Sequence, residues 1–528
     1  MPPAMSATAA SSVSNGTASI SNGKAAPAAV DVTALRDAYT AAGQGHVFSF
    51  WDTLSASEQS ALAAQLSRFD PARLNRLFER ATKPVSPGSD ASSSLEPLPK
   101  ECTGSTLGAA NSEVVAEWRA TGLRAIADNK VGVILMAGGQ GTRLGSSAPK
   151  GCYDIGLPSH KSLFAIQAER ILRLQEIAAP FRTNADLQEP VSVPWCVMTS
   201  EPTHAATIAH FEENNFFGID RANVFFFEQG VLPCFGLDGK VLLESSSKLA
   251  VAPDGNGGVY AAFRNSGLYA ELERRGVEFV HSYAIDNCLV RVADPVFVGY
   301  SISKGAECGV KVVPKSSWNE PVGVICRRGG QFQVVEYSEI STEMAQLTDS
   351  DTGALVYGAG NICNHFYTMD FLARVPTFED RLEHHVAKKK ISYVDAETGE
   401  VVKPTKPNGI KLEQFVFDVF PFVTDMAVLD VARNEEFAPL KNAPGSGSDC
   451  PETSRRDTAL LHIKYARDAG ATVELDESLA TLEANPSGVI QFEISPLVSY
   501  GGEGLEALKG KTLTLPFTLN SRKELEQL

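Results

Sequence analysis

Seven consecutive apolar or glycine residues, Val131 to Ala137, run straight into Gly138-Gly139-Gln140-Gly141. A run without polar alternation is the mark of a strand buried on both faces, and such strands belong to parallel sheets covered by helices. Glycines at its carboxyl end let the chain turn sharply and bring N–H groups close to a phosphate or a base edge. The feature predicts a ligand-binding α/β sheet, for which the rest of the chain must supply the other strands.

Further strand-like runs follow at Val193–Met198, Asn223–Phe227, Phe279–Ile285 and Val310–Val313. Helical patterns separate them; in one, Ser162 caps a helix with Ile166, Ile171, Leu174 and Ile177 on one side. Strands alternating with helices imply a Rossmann-like, mostly parallel sheet with helices on both faces. Val322–Cys326 and Phe332–Tyr337, flanking Arg327 to Gln331, read as a hairpin attached to it. Upstream, Ser55 with Glu58 forms a capping box before Leu62, Leu66 and Phe69, and Pro71 opens a helix carrying Leu74, Leu77 and Phe78. The Pro-, Ser- and Gly-rich stretch from Lys83 to about Pro99 reads as a loop. Near the end, Gly445-Ser446-Gly447-Ser448 marks a flexible segment, Thr453–Asp468 a helix, and Val489–Ile494 and Thr512–Phe517 strands.

Cores stop growing at roughly 250–300 residues, so a chain of 528 residues is expected to hold more than one domain. The patterns divide it into a disordered tail (1–30), a helical N-terminal region (31–125), the sheet domain (126–430) and a small α+β C-terminal domain (431–528).

A formal net charge of −16 argues against nucleic acid or an anionic membrane as the main partner, since both need a basic face. No run approaches the ~18 apolar residues of a membrane span. The first thirty residues lack the apolar core of a secretory signal, and Lys24 is their only basic residue. Nine cysteines stand singly with no C-x-x-C pair, which speaks against a zinc site and for reduced thiols in the cytoplasm.

The loop itself reads L-M-A-G-G-Q-G-T-R-L-G from Leu135 to Gly145, followed by Ala148-Pro149-Lys150. A dinucleotide fingerprint fails because Leu144 stands where the third glycine belongs. A Walker A loop fails too; its nearest approach, Gly504 to Thr512, has one residue too many between its glycines. A bare G-G-x-G fits a structural turn equally well. Arg143 and Lys150 go beyond that, since they supply full charges for a triphosphate.

The string L-M-A-G-G-Q-G-T-R-L-G-x-x-x-P-K resembles the activation motif of the eukaryotic UDP-sugar pyrophosphorylases. Gly151 to Phe164, G-C-Y-D-I-G-L-P-S-H-K-S-L-F, is similar to the UDP-N-acetylhexosamine pyrophosphorylases among them. The likeness continues through M-T-S, A-P-D-G-N-G-G-V-Y, D-N-C-L-V-R-V-A-D-P, E-P-V-G-V-I-C-R, V-V-E-Y-S-E-I and A-G-N-I-C-N-H-F. It then runs through K-P-N-G-I-K, F-V-F-D-V-F, P-L-K-N-A and E-I-S-P-L-V-S-Y-G-G-E-G-L, from Val131 to Leu505 in all.

The resemblance implies that 126–430 is a nucleotidyltransferase domain. It implies that N-acetylglucosamine 1-phosphate attacks the α-phosphorus of UTP, giving UDP-N-acetylglucosamine and pyrophosphate. No protein nucleophile is needed, and catalysis rests on positioning and charge neutralisation. Met136, Ala137, Gly138 and Gly139 are expected to hold uridine, with Gln229 reading the uracil edge and Gly255 letting the backbone approach the base. Asp286, at the end of a strand, is expected to hold Mg²⁺, which binds through one or two carboxylates plus substrate phosphates; the alternative is a helix N-cap. Lys411 and Lys441 resemble phosphate-binding lysines and join Arg143 and Lys150 as local cations in an acidic chain.

The sugar side is expected to involve Asn256, Gly323, Glu336, Tyr337 and Asn361. Phe415 and Phe417, two apart, point the same way if their segment is extended, and would wall an acetamido pocket; a core pair is the alternative. His384 and His385, beside Lys388, Lys389 and Lys390, read as a solvated helix surface. A UDP-glucose or broad UDP-sugar pyrophosphorylase, or a non-catalytic UDP-sugar sensor, are the competing functions. Monomer and homodimer, and the gluco and galacto epimers, stay open.

Overall fold

The structure, a computed structural model, describes residues 30–83, 95–395, 398–475, 481 and 490–528. The expected tail up to residue 29, most of the expected loop (84–94) and the start of the strand expected from Val489 lie outside the described residues.

The chain divides into two compact units, and neither is continuous in sequence. The first comprises Met1–Leu77, Phe235–Ala250 and Lys390–Gly409. Its helix Ala56–Leu66 starts at the predicted capping box, with Ser55 Oγ accepting from the Glu58 amide and Glu58 returning to the Ser55 amide. Gln44 ties the unit together: its Nε2 donates to Asn75 Oδ1 and to the Gly239 carbonyl, both at 2.9 Å.

The second unit, Phe78–Cys234, Val251–Lys389 and Ile410–Leu528, holds the large sheet. Its principal strands in chain order are β1 (Thr103–Ser105), β2 (Val131–Met136), β3 (Trp195–Thr199), β4 (Val224–Glu228), β5 (Phe279–Ala284), β6 (Cys308–Pro314), β7 (Ala359–Thr368) and β8 (Met426–Asp430). They lie in the order β1-β8-β6-β7-β5-β2-β3-β4. All neighbours run parallel except where β7 enters antiparallel between β6 and β5. The mostly parallel sheet expected from sequence is therefore present, as is the hairpin, Val324–Arg328 with Gln331–Val335.

Alternate residues of each strand face opposite cores, as strand geometry requires. Val131, Val133, Leu135, Trp195, Val197, Ala427 and Leu429 share one cluster; Ile134, Met136, Cys196, Met198, Met426 and Val428 share the other. The first cluster continues without a break into Leu440, Leu461, Ile463, Phe492, Ile494, Val498 and Leu505. These described residues of 431–528 thus share one apolar cluster with the sheet. At the other end, β1 pairs with β8, and helix Ser112–Ala127 belongs to the sheet unit. Both features move the sequence-based boundaries, because sheet pairing and shared apolar faces are long-range and leave no mark on local composition.

Two further expectations change. His385–Lys389 is a strand, not a helix, and it lies beside strand Gly409–Glu413. Phe415 and Phe417 sit in a turn after that strand, not in an extended segment.

Candidate active site

Four parallel strands, β5, β2, β3 and β4, end along one edge of the sheet, and the loops that follow them carry the candidate residues. Ligands of open α/β sheets collect at such carboxyl ends. β7 runs the other way, so its first residues, Asn361 among them, reach the same edge.

The glycine loop leaves β2 at Met136. The Ala137 amide donates to the Met198 carbonyl, and the Ser200 hydroxyl donates to the Gly138 carbonyl at 2.6 Å. The Gly141 amide bonds the Ala148 carbonyl, and the Lys150 amide the Gly139 carbonyl, which folds Gly139 to Lys150 back on itself. Gln229 lies across the loop: a Cβ on Gly138 would stand 2.2 Å from Gln229 Oε1. The amide side chain and the glycine backbone thus meet as one surface.

Gly255 has φ +89° and ψ 171°, a region open in practice to glycine alone. Beside it, the Asp254 carboxylate is wedged against Gly230 and Gly258, and its Oδ1 is buried without a partner. Burial raises Asp254 from 3.8 to about 7. The folded chain therefore holds this proton more tightly than the unfolded chain. The associated stability is complete below about pH 4 and is lost as pH rises through 7. Asp254→Asn is expected to remove that slope. Its melting temperature should rise relative to wild type between about pH 4 and pH 7; a constant difference would refute the assignment.

Asp286 follows β5 in a turn, and no helix starts there, which disposes of the N-cap alternative. Its carbonyl accepts from the Leu440 amide at 2.8 Å. The next residue pairs with Pro439 as an isolated antiparallel bridge. Lys150 Nζ donates to the Leu440 carbonyl at 3.1 Å. Lys441 is held by its own amide to the Asp449 carbonyl at 2.7 Å. Burial pushes the Cys363 thiol to about 12; Asp286 raises it and Lys441 lowers it. The Lys150 ammonium and the Asp286 main chain thus meet on Leu440, the residue before Lys441. Arg143 lies on the exposed rim of the glycine loop. Lys411 sits half-buried on strand Gly409–Glu413.

On the sugar side, Glu336 lies against Gly323, whose carbonyl accepts from the Asn361 amide at 2.9 Å. Burial raises the Glu336 carboxyl and Glu339 adds to this, while His385 and Lys441 pull it down. Asn361 Oδ1 accepts from the Cys363 amide, and Tyr337 is exposed. Asn256 Oδ1 accepts from the Val416 amide at 3.0 Å and so braces the turn that carries Phe415 and Phe417. Those rings lie 5.2 Å apart at 44°.

Sequence reasoning set His385 aside as surface, yet its ring stacks on Phe415 at 4.2 Å. Its Nε2 meets Asp418 Oδ1 at 3.0 Å, while Asp418 Oδ2 accepts from the Phe415 amide at 2.6 Å. Burial lowers the imidazole, but Asp418, with help from Glu383 and Glu339, leaves it raised overall. Ser200, Asp254, Asn287 and Asp418 were likewise not singled out; all four lie inside family-like strings, but only their three-dimensional partners distinguish them.

Among the described residues no group of three or more His, Cys, Asp or Glu is placed to cage a metal. A single half-buried carboxylate, Asp286, suits Mg²⁺ only in its usual manner, with substrate phosphates supplying most of the remaining ligands. No helix among the described residues is long and apolar enough to cross a membrane.

Glycine backbone facing an amide side chain, with Lys150 tied to the Leu440 segment beside Asp286 at the same sheet edge, marks an anion-handling α/β site. The family model described as UTP–glucose-1-phosphate uridylyltransferase matches residues 94–465. A Xenopus tropicalis protein named UDP-N-acetylhexosamine pyrophosphorylase-like protein 1 is 48% identical over 494 residues, covering 91% of this chain and 94% of its own. The UDP-N-acetylglucosamine pyrophosphorylase of Saccharomyces cerevisiae is 44% identical over 490 residues, covering 91% and 98%. The solved structure of the uridine diphosphate N-acetylglucosamine pyrophosphorylase from Trypanosoma brucei, in complex with inhibitor, superposes with a TM-score of 0.76 at 31% identity, covering 91% and 97%. The chain belongs to the UTP–glucose-1-phosphate uridylyltransferase family.

Proposed function

We propose that this chain transfers the uridylyl group of UTP to N-acetylglucosamine 1-phosphate, releasing pyrophosphate and forming UDP-N-acetylglucosamine. The observation that carries the reading is the joining of Lys150, Asp286 and Lys441 through the Leu440 segment, beside the glycine loop. A sugar phosphate oxygen attacks the α-phosphorus and pyrophosphate leaves in line, so the protein must bring two anions together and spread their charge. Lys150 and Lys441 neutralise phosphate oxygens where the overall charge of −16 would otherwise repel them. Asp286 would hold Mg²⁺, which would supply charge neutralisation for the phosphates and the departing pyrophosphate.

Gly138, Gly139, Gln229 and Gly255 hold uridine; Glu336, Asn361 and the Phe415–Phe417 turn receive the sugar. Arg143 and Lys411 approach the phosphates from the loop rim and from strand Gly409–Glu413. Nine cysteines with no C-x-x-C pair among them support work in a reducing compartment, the cytosol. The test is pyrophosphate release from UTP, Mg²⁺ and the sugar phosphate. Release is expected. Its failure with both N-acetylglucosamine and N-acetylgalactosamine 1-phosphate would overturn the reading and favour a UDP-sugar sensor.

A further inference from the structure

Asn287 is 4% exposed and every polar atom of its side chain is engaged. Its Oδ1 accepts from the Ala438 amide at 3.0 Å and the Leu289 amide at 3.2 Å. Its Nδ2 donates to the Glu436 carbonyl at 2.7 Å. On either side, the main chains of 286–288 and 438–440 bond each other, Leu440 amide to Asp286 carbonyl and Cys288 amide to Ala438 carbonyl. The segment following β5 is thereby clasped to a segment some 150 residues later that leads directly into Lys441.

The clasp is anchored from beneath at both ends. Arg170, buried on helix Leu163–Ala178, donates to the carbonyls of Cys288 at 2.9 Å and Val290 at 2.8 Å. Lys311 of β6, fully buried, pairs with Asp294 at 2.5 Å and with Glu436. Arg291 pairs with Glu435 at 2.8 Å. Breaking a buried ion pair on one side strands a charge at high cost, so Glu436 is a fixed point. Between this fixed point and Lys441 lie four residues, and Asn287 grips the first half of them.

We propose that Asn287 is a positioning residue that sets the Lys441 ammonium, and the Leu440 carbonyl that holds Lys150, against the Asp286 carboxylate. The proposal rests on the uridylyl-transfer reading for its kinetic consequence, though not for the clasp itself. Asn287 touches neither the glycine loop nor Gln229. Its loss therefore acts on the charges that meet the phosphates in the transition state and leaves the uridine surface alone. A shift of the order of an ångström between such charges is costly, since electrostatic stabilisation depends on preorganisation.

The experiment compares wild type with Asn287→Ala and Asn287→Ser, using pyrophosphate release, calorimetric UDP binding and amide hydrogen exchange. In Asn287→Ala, kcat is expected to fall about 10–100-fold, in line with the loss of several buried hydrogen bonds. UDP affinity should stay within about threefold. Exchange over 436–442 should accelerate. Asn287→Ser keeps an oxygen able to accept from the nearby amides and should recover part of the rate. If Asn287→Ala does not fold, the serine variant carries the same test. A kcat within about threefold of wild type would overturn the proposal, as would equal losses of kcat and UDP affinity. Failure of wild type to release pyrophosphate would instead refute the uridylyl-transfer reading. Exchange over 436–442 would still report on the clasp.

Discussion

Asp286→Ala is expected to lower kcat/KM about 10²–10³-fold while leaving the fold and UDP affinity close to wild type, the magnitude seen when one preorganised electrostatic group is removed from a reaction centre. The substitution isolates the carboxylate because the residue's structural duty is done by its main chain: the Asp286 carbonyl, which accepts from Leu440, survives in alanine. What disappears is the negative charge that would hold Mg²⁺. Asp286→Asn keeps the shape without that charge and should be nearly as impaired. A steady-state assay that varies the sugar phosphate at saturating UTP measures this. Activity within threefold of wild type in either variant would remove the side chain from the chemistry.

The second large effect is expected at the uridine surface. Gly255→Ala should weaken UDP and UTP binding by about 10²-fold or more, because its conformation is in practice restricted to glycine and costs other residues roughly 1–3 kcal/mol. The added methyl would also stand 2.2 Å from the Gln414 carbonyl oxygen. That carbonyl accepts from the Gly257 amide, and the Gln414 amide donates to the Asp254 carbonyl. Displacing it would carry the Phe415–Asp418 turn away from Asn256 as well. Uridine and sugar affinity should therefore fall together in titration calorimetry. Wild-type affinity for UDP would show that Gly255 lies outside the nucleotide surface.

The legible parts of this architecture were local. β2 is an uninterrupted apolar run, the loop after it has its own glycine pattern, and helix Leu163–Ala178 begins at a serine cap. β7 was not legible as a strand because it buries Asn364 and His365, polar residues each held by a neighbour through one side-chain atom rather than by solvent. His281 Nε2 meets Asn364 Oδ1, and Tyr367 meets His365. His385–Lys389 misled for the opposite reason: three lysines in a row suggest a solvated helix, whereas a partly exposed strand accommodates them equally well.

Within the site, Asp286 and the glycine loop could be placed because strand ends are predictable. The clasp between 286–288 and 438–440 could not, since nothing in either segment announces its partner. The acidic composition, which argued against anionic ligands, gives way to a local effect of Lys150 and Lys441.

The most direct measurement of the central claim is the ratio of kcat/KM for N-acetylglucosamine 1-phosphate to that for glucose 1-phosphate, with UTP held saturating. A pocket that receives the acetamido group beside Phe415, Phe417 and His385 predicts a preference of about 10–200-fold, the discrimination such packing supplies. A ratio near or below one would contradict the amino-sugar assignment and place the chain with the plain-hexose members of its family.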